Sequence, residues 1–288
     1  VISRVLKWHA QAALLNIYGT GIRARALFDP SLRSREDVSW LLVATLPNSG
    51  STAVSKLLQG SSRSLAVTPS GEGQWLLPAM SAPGKRWEPS RSVDYEQMRR
   101  VWLSRVPKGD APVVVIDKSP SNLVRLAEVA HALSSMPVKL ISVTRDPYAT
   151  VASWAKRYPP ARVIRDWRPS LKGQLGTDDA FFEALGNIWG EWAAMLLKLR
   201  ERADYSTSYE TLVAAPADFV TAITGLYPEL SDIDPSANVS VKDYEAQPLR
   251  NMNDEQIASL TPAQLGAVTK GLAPHEGIVR ALGYELRG

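Results

Sequence analysis

The segment Leu46-Pro47-Asn48-Ser49-Gly50-Ser51-Thr52 is small and rich in hydroxyls, and it follows the apolar run Trp40-Leu41-Leu42-Val43-Ala44-Thr45. Further along, Lys139-Leu140-Ile141-Ser142-Val143-Thr144 runs into Arg145-Asp146-Pro147, with Ser153 eight residues after the arginine. Each reads as a buried parallel strand, a tight turn and a helix start. Such a turn aims several backbone N–H groups at one point, and the helix dipole adds positive potential there. Gly50 permits close approach, while Ser49, Ser51 and Thr52 set hydroxyls beside the amides. Arg145 at a strand end can grip a phosphate with its forked donors, and Ser153 lies about two turns into the next helix. Together the two segments predict a ligand with two separate phosphates. The Walker A pattern G-x-x-x-x-G-K-[ST] is absent, since no lysine follows Gly50, so ATPase or GTPase chemistry is not expected.

The elements that must hold these turns follow from hydrophobic spacing. A helix is predicted over 2–17, ended by Gly19 and Gly21. A strand over 38–45 leads to a helix over 51–59, stopped by Gly60. Residues 61–110 are irregular apart from a helix over 93–105. Val113-Val114-Val115-Ile116 is a continuous β-branched run, as in a strand covered on both faces. A turn over 117–122 and a helix over 123–133 follow, then the second strand and a helix over 148–156. A long helix spans 178–203, with Trp189 and Trp192 on its core stripe. A strand over 205–208, a helix over 217–225, a loop over 238–253 and helices over 254–259 and 262–269 complete the chain. Strands alternating with helices predict an α/β fold, a single domain with a mostly parallel sheet flanked by helices. The expected layout is a helical extension over 1–37 and a domain over 38–288, with lid segments near 73–110 and 158–177.

The 288 residues are 45% hydrophobic, enough for a sizeable core. A formal charge of +4 suits an anionic ligand but not a nucleic-acid partner. With no cysteine, disulfides, thiolate catalysis and zinc–thiolate sites are excluded. The apolar runs are strand-length, well short of the roughly 20 residues of a membrane span. Arg4, Lys7 and His9 interrupt the first apolar stretch, so no secretory leader is expected, and a cytoplasmic setting is.

The chain resembles the sulfotransferases that use 3'-phosphoadenosine 5'-phosphosulfate (PAPS), most of all their bacterial, tyrosylprotein and carbohydrate branches. Residues 46–52 are similar to the family's 5'-phosphosulfate loop, and Arg145-Asp146-Pro147 with Ser153 to its 3'-phosphate motif. Tyr209-Glu210-Thr211-Leu212-Val213-Ala214-Ala215-Pro216 is similar to its Tyr-Glu-x-Leu-x-x-x-Pro signature, whose tyrosine contacts adenine. The resemblance implies a P-loop-like fold, PAPS as donor, adenosine 3',5'-bisphosphate (PAP) as product, no metal, and a hydroxyl-bearing acceptor. It implies cofactor contacts from Asn48, Ser49, Gly50, Ser51, Thr52, Arg145, Ser153 and Tyr209, and from Arg250 in the late loop. The sequence also allows a sulfotransferase domain excised from a larger biosynthetic protein; nothing in it sets the oligomeric state.

For the chemistry, the resemblance implies Glu72, between Gly71 and Gly73, as the base and Lys118 as the stabilising cation, with Asp117 a weaker substitute base. The histidine of the phenol and steroid enzymes has no counterpart among His9, His131 and His275. Asn48 departs from the family, which carries Lys or Arg there to stabilise the leaving group. The alternative readings are therefore a PAP-binding protein with weakened catalysis and, further off, a P-loop small-molecule kinase. Lys85-Arg86-Trp87 and Arg162, Arg165, Trp167, Arg168 and Lys172 flank the expected acceptor mouth; Trp with Arg suits sugars or anionic acceptors, but solvated lid residues are the expected reading.

Overall fold

The computed structural model describes residues 19–26, 29, 32–109, 111–239 and 246–287. The helix predicted over 2–17 lies outside them, as does part of the late loop. Five strands form one parallel sheet in the order β2-β3-β1-β4-β5: β1 Val38–Thr45, β2 Ser64–Leu65, β3 Val113–Asp117, β4 Val138–Thr144 and β5 Tyr205–Ser208. The strand order reverses beside β1, which has β3 on one side and β4 on the other. Open α/β sheets bind ligands at the carboxyl ends of strands at such a point. The register sets Thr45 opposite Val143, so the turns after β1 and β4 emerge side by side.

The hydrophobic runs behave as strands buried on both faces. Trp40, Leu42 and Ala44 of β1 enter one core, with Trp102, Trp154 and Trp192. Leu41 and Val43 enter the other, with Val54, Phe219 and Ile223. The long helix Asp178–Arg200 is capped by Thr177, whose hydroxyl accepts from the Ala180 amide, and its acidic first turn and basic last turn suit the helix dipole. Trp189 and Trp192 are core residues, 2% and 1% exposed. Trp192 stacks on Trp87 at 3.6 Å and meets the edges of Trp154 and Trp167. Arg86, Trp87 and Trp167, expected among the solvated residues, are buried instead. The tryptophan cluster supplies the reason, since it draws both segments onto the long helix.

Two expectations of local structure need correction. The chain is helical over 19–26, so Gly19 and Gly21 do not end a helix. Arg23 donates to the Leu76 carbonyl at 2.8 Å, a tertiary contact of the kind that outweighs the glycine penalty of about 1 kcal/mol. Residues 123–133 divide into a 3₁₀ turn, Pro120–Arg125, and a helix, Leu126–Leu133. No helix among the described residues is long and apolar enough to cross a membrane.

Candidate active site

The turn after β1 delivers an open helix N-terminus. Gly50 caps the helix Ser51–Leu58 without any side-chain cap, and the first bond in that helix runs from the Val54 amide to the Gly50 carbonyl at 3.0 Å. The amides of Ser51, Thr52 and Ala53 thus lack partners within their helix. Gly50 is required twice over: its φ is +86°, and a Cβ there would stand 2.5 Å from Cδ2 of Tyr209. Asn48 also has positive φ, +59°, a region that asparagine tolerates better than long side chains do. Its amide donates to the Ser153 carbonyl at 3.4 Å.

The turn after β4 delivers a buried guanidinium. Arg145 is 5% exposed; its Nε donates to Asn253 Oδ1 at 2.9 Å and its Nη1 to the Asn48 carbonyl at 2.8 Å. Its Nη2 is buried without a partner. Burial lowers the Arg145 pKa, opposed by Tyr209 and Glu210. The Tyr209 ring lies 4.2 Å from this guanidinium, and its hydroxyl donates to the Arg250 carbonyl at 2.7 Å. Glu210 accepts from the Asp146 amide, Asn253 and Tyr284, which locks the Arg145 turn to the late helices. Trp154 joins the two turns, donating to the Pro47 carbonyl at 2.6 Å.

Both turns border one cavity of about 1400 Å³. Asn48, Gly50, Ser51, Thr52, Arg145, Ser153, Tyr209 and Arg250 all line it; Ser49, 1% exposed, does not, and neither do Glu72 and Lys118, which lie behind Thr52. That volume exceeds the usual range for one small ligand and leaves room for two. Arg250 is half-exposed and paired with Glu255 at 2.6 Å.

At the edge of the phosphate-type loop sits an ion pair. Lys118 Nζ is 2.9 Å from Glu72 Oε1 and 3.4 Å from Thr52 Oγ1. Trp75 and Gln74 donate to Glu72 Oε2 at 2.7 and 3.0 Å. Burial pushes the Glu72 carboxyl up, but the Lys118 charge and the three hydrogen bonds outweigh it and hold it below the ordinary value of 4.5. Glu72 is therefore ionised at neutral pH. The end of β3 clamps its loop from both sides: the Lys118 amide donates to the Gly71 carbonyl, and the Gly73 amide donates to Asp117 Oδ1 at 2.7 Å.

Asp117 is 1% exposed and also accepts from Ser119 and Asn122. Burial raises its pKa to about 6, against those hydrogen bonds. Its position makes it a support for the Glu72 loop. Asp117→Ala strips several buried donors of their acceptor and should destabilise the fold by about 3 kcal/mol, read as a lower denaturant midpoint. An unchanged midpoint would show that the loop holds itself.

Among the described residues no group of three or more metal-binding side chains occurs. No family model matches the sequence, and no curated protein does. The three-dimensional structure does have counterparts. Sulfotransferase STF9 from Mycobacterium avium matches with a TM-score of 0.57 at 16% identity, over 93% of this chain and 82% of that one. The chain has the sulfotransferase fold. The sulfotransferase from Alicyclobacillus acidocaldarius matches at TM-score 0.47 and 14% identity, over 86% of this chain and 96% of its own. The sulfotransferase domain of the Synechococcus PCC 7002 olefin synthase matches at 0.46 and 15%, over 82% and 94%.

Within this sulfotransferase fold the sequence motifs converge on one cavity, and Glu72 and Lys118 meet beside Thr52 although 46 residues separate them. Sequence reasoning missed Asn253 and the linking role of Trp154. Asn253 stands outside every motif that was recognised. Trp154 follows Ser153 directly, and a tryptophan next to a candidate binding residue was the available signal.

Proposed function

We propose that the protein is a PAPS-dependent sulfotransferase that moves a sulfuryl group to a hydroxyl of a small-molecule, lipid or carbohydrate acceptor. One observation carries the reading. The uncapped N-terminus of the Ser51–Leu58 helix and the unpartnered Nη2 of Arg145 belong to residues bordering the same cavity. Two anion-binding points in one cavity suit a nucleotide with phosphates at both the 3' and 5' positions. The helix-end amides, with Ser51 and Thr52, hold the 5'-phosphosulfate, and Arg145 with Ser153 holds the 3'-phosphate. Tyr209 and Arg250 close the nucleotide side.

The donor supplies a sulfuryl group on a phosphate leaving group. The chain must align an acceptor hydroxyl, take its proton and offset charge on the departing phosphate. Glu72, ionised and clamped, takes the proton. Lys118 brings to the loop the positive charge that Asn48 lacks, since its Nζ reaches Thr52. The new oxygen–sulfur bond forms as the sulfur–oxygen bond to the 5'-phosphate breaks, and that phosphate leaves with the electron pair. Incubation with sulfur-labelled PAPS and a mixed panel of hydroxyl compounds tests this. Acceptor-dependent release of PAP is expected; bound nucleotide with no release over any acceptor contradicts transfer.

A further inference from the structure

Arg86 is a charge that the mechanism above does not use. It is 8% exposed, and among the described residues its guanidinium makes no hydrogen bond or ion pair. Its one close partner is the Trp75 ring, 5.4 Å away. Burial lowers its pKa, opposed by the charges of Asp166 and Glu72. Buried charges in proteins are ordinarily paired, because desolvation without a counter-ion costs several kcal/mol.

The nearby carboxylates are already engaged. Asp166 accepts from Arg165 at 2.7 Å and from Arg162 at 3.4 Å, and Glu72 is held by Lys118, Trp75 and Gln74. Around these two carboxylates stand four cations: Arg86, Lys118, Arg162 and Arg165. Both carboxylates thus have cation partners, while Arg86 has no ion pair among the described residues. Its nitrogens are not sealed in, for they are absent from the fully buried unpaired atoms of the fold. The Tyr158 hydroxyl, within the electrostatic reach of Arg86 and Glu72, lines the cavity and also makes no hydrogen bond among the described residues.

The backbone presents this arginine rigidly. Buried Arg125 donates to the Arg86 carbonyl at 2.9 Å and to the Glu88 carbonyl at 3.1 Å, and Trp87 is fixed by its stack on Trp192. A pre-set, unpaired guanidinium over Trp75, whose Nε1 donates to the candidate base, is a receptor for a carboxylate, phosphate or sulfate.

We infer that the acceptor is itself anionic, and that Arg86, with the Tyr158 hydroxyl, binds its charged group while the reacting hydroxyl faces Glu72. This inference rests on the sulfotransferase reading and deepens it.

Its test is a titration of the PAP-saturated protein with matched pairs of hydroxyl compounds differing only in charge. The pairs are 4-hydroxybenzoate and 4-hydroxybenzamide, galacturonate and galacturonamide, and 3-hydroxybutyrate and 3-hydroxybutyramide. At least one anion should bind tenfold or more tightly than its neutral partner. In Arg86→Gln that preference should vanish, Arg86→Lys should keep part of it, and PAP affinity should stay as it was. No charge preference in any pair, or one that survives in Arg86→Gln, overturns the inference. Failure of PAP itself to bind the native protein would instead sink the sulfotransferase reading, so the two failures are distinct.

Discussion

Glu72→Gln should lower kcat by about 10²–10⁴-fold while leaving the affinity for PAP unchanged. The amide keeps the shape of the carboxylate, so Trp75, Gln74 and the clamp from β3 should hold the loop in place. What it loses is the ability to take a proton from the acceptor. In the native protein Glu72 is ionised down to below its ordinary 4.5, so its protonation should limit kcat/KM only under more acidic conditions. The sign follows from the depressed value: the Glu72–Lys118 attraction stabilises the fold above about pH 4.5 and is lost as pH falls through the native pKa. A kcat of Glu72→Gln within a few-fold of native would remove Glu72 from the chemistry.

Lys118→Met should cost about 10²–10³-fold in kcat, the usual effect of deleting one group that stabilises transition-state charge. It should also have a signature that a structural lysine would not. With the ammonium gone, burial acts on Glu72 against hydrogen bonds alone, and its pKa must rise. The acid limb of the kcat/KM profile should therefore move toward neutral pH. A slow variant with an unmoved limb would separate Lys118 from Glu72 and contradict their pairing as a working unit. On the proposed mechanism Lys118 also accounts for Asn48. The φ of +59° at that position suits asparagine, and the cation reaches the loop from β3 instead of from the turn itself.

Much of this architecture was legible from the chain alone, because its signals are local. The runs of β1, β3 and β4 are apolar on both faces, and such runs have few alternatives to a parallel sheet between helices. Strand β5 was legible too, at Tyr205–Ser208, though it is half-buried. β2 was not, since two residues, Ser64 and Leu65, are too few to show a period. The short helices Pro160–Asp166 and Tyr209–Ala214 were missed because their neighbouring prolines and motif residues read as loop.

At the site, Arg145, Ser153 and the loop through Thr52 announce themselves by spacing. The partners of Arg145 do not. Asn253 lies 108 residues away and becomes a partner only when the late helices fold back over the β4 turn. Arg86 read as one more solvated cation in an Arg- and Trp-rich stretch. Its burial depends on Trp87 finding Trp192 across the fold, which no local pattern encodes.

The central claim is a site for two phosphates, and calorimetric titration with PAP beside 5'-AMP tests it most directly, on the native protein and on Arg145→Ala. Arg145 lines the cavity, and its buried Nη2 has no partner to satisfy it. The native protein should prefer PAP over AMP by about 2–4 kcal/mol, from one or two charge-assisted contacts, and Arg145→Ala should lose that preference while still binding AMP. Equal binding of AMP and PAP by the native protein would contradict the account at its base.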